Sequence, residues 1–235
     1  MGPEEKEASN TNSLEQGLGL TQYDPLSSFE KNPCANTLSR ISKRLHTIEM
    51  IHKAIEENKS TDGYVLKHVS KKLVSYELCL LAVDKNGAEL RFVPEEMKDL
   101  DMCETAVRND QSFMHSDCAL SYVPTKILSG KKGQRLYRIA ISQNGLAIAH
   151  VPKKYITKTL AREALLNIRT GWYGKHYDWP IEHIPRNLLS QELIELSISE
   201  YPESLRAVPI NSLSVPLLVE FVTRDRLNLQ YVPVI

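Results

Sequence analysis

The 235 residues include 29 basic and 29 acidic side chains, with 42% hydrophobic and 25% charged residues, the profile of an ordinary globular chain long enough to bury a core. The zero formal net charge excludes a general attraction to nucleic acid or to an anionic membrane surface. No apolar run reaches the roughly 18 residues that span a bilayer, and Cys34, Cys79, Cys103 and Cys118 form no CxxC pair, which points to reduced, buried thiols rather than a disulfide framework or a closed zinc site.

Residues 1–38 are rich in Glu, Asn, Ser, Thr and Gln, as in EEKEASNTNSLEQ, with no sustained apolar period. Such a stretch cannot bury enough apolar surface to offset its ordering entropy, so it reads as a disordered polar tail. It lacks the basic and apolar regions of a cleaved secretory signal. Pro3 and Lys6 also do not fit a myristoylation site. Residues 39–235 read as one folded domain. It opens on TLSRISKRLHTIEMIHKAIEENK, where Ile41, Leu45, Ile48, Ile51 and Ile55 recur three or four residues apart, the spacing of an amphipathic helix.

From there the chain repeats itself. DGYVLKHVS, NGAELRFVP, CALSYVP, NGLAIAHVP, WPIEHIP, YPESLRAVP and RLNLQYVP each place Leu or Ile three residues before Val or Ile. In six of the seven a proline follows; Ser70 replaces it in the first. The anchors Val69, Val93, Val123, Val151, Ile184, Val208 and Val232 lie 24, 30, 28, 33, 24 and 24 residues apart, a 24-residue period with insertions of six, four and nine. Between anchors, SYELCLLAVDKNG and SQELIELSISEYP space apolar residues as a helix does, with Ser75 and Ser190 as N-caps. Asn86-Gly87 and Asn144-Gly145 would end the helix through a left-handed glycine. Each unit is then a helix of about ten residues, a turn, a short helical segment and a proline corner. Stacked units give an all-α solenoid of about seven irregular repeats with a continuous core.

The strings ELCLLAVDKNGAELRFVPEEMKD and LYRIAISQNGLAIAHVPKKY resemble a family of short helical repeats of unknown function that occurs in multicopy arrays in bacterial proteins. The resemblance covers residues 62–235 and is weaker at 99–123 and 160–184. It implies a fold and no catalytic residue. The Ser/Asn/Thr-rich beginning is similar to those of proteins that bacterial specialised secretion systems export into host cells, which implies a chain made in the bacterial cytoplasm and delivered as an effector.

Four constellations bear on function. Cys118 with His115 and Asp117 has the residue types of a thiol nucleophile and its base, though sequence neighbours rarely form such a site. The seven histidines show no metal-ligand spacing; His68 and His150 share the position before the anchor with Phe92, Tyr122 and Tyr231, as an aromatic stripe. The stretch SGKKGQR, with Lys131, Lys132 and Arg135, reads as a solvated loop. It joins Arg138, Lys153, Lys154, Lys158, Arg162, Arg169 and Lys175 in making the middle units basic beside an acidic unit holding Glu95, Glu96, Asp99, Asp101, Glu104 and Asp110.

The fourth is TGWYGKHYDWP, which contains both tryptophans of the chain and coincides with the nine-residue insertion. An insertion projects from the repeating core, so Trp172, Tyr173, His176, Tyr177 and Trp179 are expected to be partly exposed as contact residues for a protein partner. The alternative is that a tryptophan plugs a gap between repeats. The expected function is a non-enzymatic protein-binding module, with no metal or cofactor, whose partner is a protein of the host. An enzyme using Cys118 and His115, or His176, Tyr177 and Asp178, is the rival, and the neutral net charge weighs against nucleic-acid binding. Nothing in the sequence specifies an oligomeric state.

Overall fold

The Leu-x-x-Val-Pro signature is the trace of one hydrogen bond. In a computed structural model describing residues 24–59, 63–111, 118–168 and 179–232, every anchor N–H donates to the carbonyl three residues earlier. The pairs are Val69 to Leu66, Val93 to Leu90, Val123 to Leu120, Val151 to Ile148, Ile184 to Ile181, Val208 to Leu205 and Val232 to Leu229, at 3.0–3.3 Å. An i to i−3 bond closes a turn of 3-10 type. Each anchor is then extended, with ψ between 122° and 141°, the conformation that a following proline imposes on six of them and that Val69 also adopts ahead of Ser70. The carbonyls of Pro94, Pro152, Pro185 and Pro209 in turn accept from the residue three further on, opening short 3-10 turns at Glu95–Met97, Lys153–Tyr155, Arg186–Leu188 and Ile210–Ser212.

Six residues after each of the first six anchors stands a short polar side chain: Ser75, Asp99, Ser129, Thr157, Ser190 and Ser214. Each is the N-cap of a longer helix: α4 (Tyr76–Lys85), α5 (Leu100–Arg108), α6 (Gly130–Gln143), α7 (Lys158–Leu166), α9 (Gln191–Glu200) and α10 (Val215–Arg224). Four of these caps accept an N–H of the first turn, as when Thr157 Oγ1 takes Leu160 N–H at 3.2 Å. Ser190, expected to do the same, makes no side-chain cap bond. Ahead of these helices lie α1 (Pro25–Lys31), α2 (Ala35–Leu38) and α3 (Ile48–Glu57), and α8 (Pro180–His183) follows α7. All the regular structure among the described residues is helical.

Two rows of contacts organise these elements. The longer helices pack in chain order, α3 on α4, then α5, α6, α7 and, passing α8, α9. The 3-10 segments Leu66–His68, Gly87–Phe92, Ala119–Tyr122 and Gly145–His150, then α8, Pro202–Ala207 and Arg226–Tyr231, likewise each pack on the next. The core lies between the rows. Helices α4, α5, α7 and α9 bury the same i, i+1, i+4, i+5 pattern, for instance Leu78, Cys79, Ala82 and Val83 in α4 or Met102, Cys103, Ala106 and Val107 in α5. The third position of that pattern is always small: Ala82, Ala106, Ala164 or Ser197.

Three expectations change. Residues 24–38, assigned to the polar tail, are folded where described: Phe29, Cys34, Ala35 and Leu38 are buried in the core. The first amphipathic helix begins at Ile48, not near Thr37, because Thr47 Oγ1 caps Met50 N–H, and Leu45 and Ile48 are exposed. Finally, Gly87 and Gly145 do not have positive φ. They are glycines because the chain comes too close for a side chain: a Cβ would sit 1.9 Å from the carbonyl oxygens of Ala106 and Ala164 respectively. Their N–H groups donate to Asn109 O and Asn167 O, at 3.0 and 2.7 Å.

Candidate partner-binding surface

The four-residue insertion between Val123 and Val151 is one additional helical turn. Helix α6 has 14 residues where its neighbours α5 and α7 have 9, and at 3.6 residues per turn the excess is a little over one turn. The stretch SGKKGQR, expected as a loop, is therefore the N-cap and first turns of α6. Gly130, with φ +65°, directs the chain into the helix, and Gly133 lies so close to the preceding segment that a Cβ would be 2.0 Å from Leu128 O. Gly130 supplies the positive φ and Gly133 the close approach, neither of them a flexible loop. Lys131, Lys132 and Arg135 are exposed on these turns, and Arg135 bridges to Glu104 of α5 at 2.7 Å.

Between α6 and α7 the surface opens into a groove of about 340 Å³, walled by Gln134, Tyr137 and Arg138 of α6 and by Lys154, Tyr155, Thr157, Thr159, Leu160 and Glu163 on the other side. Positions 134, 137 and 138 share one helix face. Leu160 and Tyr137 are buried, Tyr155 is half-buried, and Arg138, Lys154 and Thr159 are exposed at the rim. The two tyrosine rings meet at 5.7 Å between centroids. The Tyr137 hydroxyl donates to Leu128 O at 2.9 Å, and burial raises its pKa above the ordinary phenol value, so it remains a neutral donor. Lys154 Nζ lies 4.9 Å from the centre of the Tyr155 ring, a cation held over a π-face.

The electrostatics follow the chain. Between residues 126 and 168 Glu163 is the only acid, against nine lysines and arginines. Next to this basic section, α5 and the turn before it carry Glu95, Glu96, Asp99, Asp101 and Glu104. Glu104 ties the two sections together, accepting from Arg108 and Arg135 at 2.7 Å each.

Of the aromatic segment, Trp172, Tyr173, His176 and Tyr177 lie outside the described residues. Trp179 does not meet the expectation of partial exposure: it is 5% exposed, N-caps α8 and packs on Tyr201 at 5.7 Å between ring centres. Its indole belongs to the core, as the plug alternative expects for this residue. His68, Phe92, Tyr122, His150 and Tyr231 are all half-buried beside their anchors, and the Arg91 guanidinium stands 5.7 Å from the rings of both Phe92 and Tyr122.

Cys118 is 1% exposed, and burial, followed by the charge of nearby Asp110, pushes its thiol well above the ordinary value. A buried thiol kept protonated is unsuited to nucleophilic attack. Asp110 is engaged in structure, accepting Ala119 N–H at 2.8 Å. His115 and Asp117 lie outside the described residues. Cys79 and Cys103 are fully buried, with thiols raised to about 11 chiefly by burial, and all four cysteines are free. No group of three potential metal ligands occurs among the described residues, and none of their helices is long and apolar enough to cross a membrane.

The sequence shows the cations of this surface but not the groove, whose second wall comes from residues about twenty positions further on. Residues 75–128 match a family described as Domain of unknown function (DUF4116), a similarity that spans the α4 and α5 units and stops short of α6. No curated protein and no solved structure matches the chain.

Proposed function

We propose that the chain is a non-enzymatic protein-binding module. In this reading it is a solenoid of about seven 24-residue units whose basic α6–α7 section, with the aromatic segment 170–178 following it, contacts a protein partner. One observation carries the reading: the α6–α7 groove opens within the stretch where nine cations face one acid. A concave, partly apolar surface with charge at its rim suits recognition, and the adjacent acidic section would orient a partner of complementary polarity. The solenoid is supported by the identical anchor bond at seven places and by bonds between units, such as Gly87 N–H to Asn109 O and Lys98 Nζ to Tyr122 O. Delivery into a host cell rests on the composition of residues 1–38. Removing residues 2–23 should abolish translocation of a reporter fused to the chain; undiminished delivery would refute that part.

The binding reading is tested by quantitative capture of interacting proteins by the full chain and two variants. One is Lys131→Glu with Lys132→Glu and Arg135→Glu; the other is Trp172→Ala with Tyr173→Ala. Each is expected to lose the specific partner, and the charge reversal should change Tm little, since exposed ion pairs contribute only about 0–1 kcal/mol. Equal capture by all three proteins would contradict the proposal.

A further inference from the structure

Resting on the binding-module reading, we infer that the α6–α7 groove is a receptor for the carboxylate side chains of an acidic peptide segment, with Arg138 and Lys154 as its ionic contacts. Two cations of this section are matched within the chain, Arg135 with Glu104 at 2.7 Å and Arg162 with Glu192 at 3.0 Å, and of the others only Arg138 and Lys154 line the cleft. Among the described residues neither Arg138 nor Lys154 makes an ion pair. Both stand at the mouth of the same cleft. Lys154 is held over the Tyr155 ring, which fixes the ammonium without neutralising it. A carboxylate entering between them meets two positive groups. The methylenes behind it lie against Tyr155 and Leu160, and the exposed Thr159 hydroxyl supplies a further donor.

The dimensions and charge pattern select a peptide over a polynucleotide. A cleft of about 340 Å³ accepts side chains, not a duplex or a continuous phosphate backbone. Glu163 occupies one wall, and along the stack the basic section gives way to Glu95, Glu96, Asp99, Asp101 and Glu104. A strand with one charge per nucleotide would run into that acidic section, whereas a peptide can confine its carboxylates to the groove.

The test uses the full chain and fluorescence anisotropy. The probe is a fluorescein-labelled peptide of three Glu-Ser-Glu-Leu repeats, compared with its Gln-Ser-Gln-Leu counterpart and with a labelled single-stranded oligonucleotide. The glutamate peptide is expected to bind at least tenfold more tightly than the glutamine one. Arg138→Glu with Lys154→Glu should weaken it at least tenfold, and the milder Arg138→Gln with Lys154→Gln in the same direction. The equal charge change Lys53→Glu with Lys72→Glu, at exposed sites far from the groove in sequence, should leave binding within twofold. Glu163→Gln should tighten it about threefold. Melting curves confirm that each variant is folded. Equal losses from the groove and control pairs would reduce the binding to net charge and overturn the inference. So would tighter, steeply salt-dependent binding of the oligonucleotide, or no binding of the glutamate peptide. If the peptide does not bind while capture of a protein still depends on Lys131, Lys132 and Arg135, the groove inference falls and the binding-module reading stands.

Discussion

Two glycines and one glutamate show how tightly neighbouring units are fitted. Gly87 and Gly145 occupy the same place in two units, each with its N–H on the last turn of the following long helix. The sequence signals that something is special at Asn-Gly, but the reason becomes visible only when the next helix is in place. A methyl group 1.9 Å from a carbonyl oxygen forces the helices apart, so Gly87→Ala and Gly145→Ala should each cost about 1–3 kcal/mol or more, read as a fall in denaturant midpoint. Alanine at either position without loss would show that the units are not in close contact there. Ser197 and Ser204 make the opposite accommodation: both hydroxyls are buried in the core and bond each other at 2.8 Å.

Glu89 is the charged exception, at a position occupied by Ala119, Ala147 and Ser204 in other units. It is 2% exposed, and its carboxyl oxygens accept Val65 N–H at 2.6 Å and Leu66 N–H at 3.1 Å, capping the preceding unit's short helix. Burial raises its pKa to about 7 from an ordinary 4.5, against the opposing pull of those two N–H groups. Between these values the folded chain holds a proton that the unfolded chain has released. The group's contribution to stability is therefore complete below pH 4.5 and is lost as pH rises through 7, by about 3 kcal/mol in total. Wild type should lose stability relative to Glu89→Gln between pH 5 and 8 in chemical denaturation; parallel pH profiles would rule this out.

At the scale of elements, local signals were legible and tertiary ones were not. The Leu-x-x-Val-Pro pattern reports a bond between residues three apart and a proline that constrains its neighbour, so the short helical segments and proline corners follow from the sequence, whereas the conformation at Asn-Gly and the missing cap bond of Ser190 do not. The added turn of α6 is hidden because Gly130 and Gly133 look like helix breakers until the positive φ of the first and the closeness of Leu128 to the second are seen. The boundary at residue 38 was missed because Phe29, Cys34, Ala35 and Leu38 are too few and too irregularly spaced to show a period. Trp179 looked like part of an exposed aromatic insertion, yet it begins α8 and packs on Tyr201. Trp179→Ala should thus destabilise by about 3–5 kcal/mol, whereas Trp172→Ala should leave thermal unfolding unchanged and act on partner capture. A stable Trp179→Ala variant would return that residue to the contact surface.

Across the whole molecule, the proposed binding surface falls where the units differ from one another. Anchors, caps and small core residues recur from unit to unit, while charge and insertions vary. A net charge of zero conceals an acidic α5 section beside a basic α6–α7 section, and the groove lies in the latter. If a partner docks on that groove as proposed, site-specific photo-crosslinking will show it most directly. With benzoylphenylalanine replacing Gln134 on the groove wall, the partner should be crosslinked; with the same residue at exposed Glu56 of α3 it should not. Crosslinking at position 56 with none at 134 would place the partner elsewhere and overturn the docking proposal.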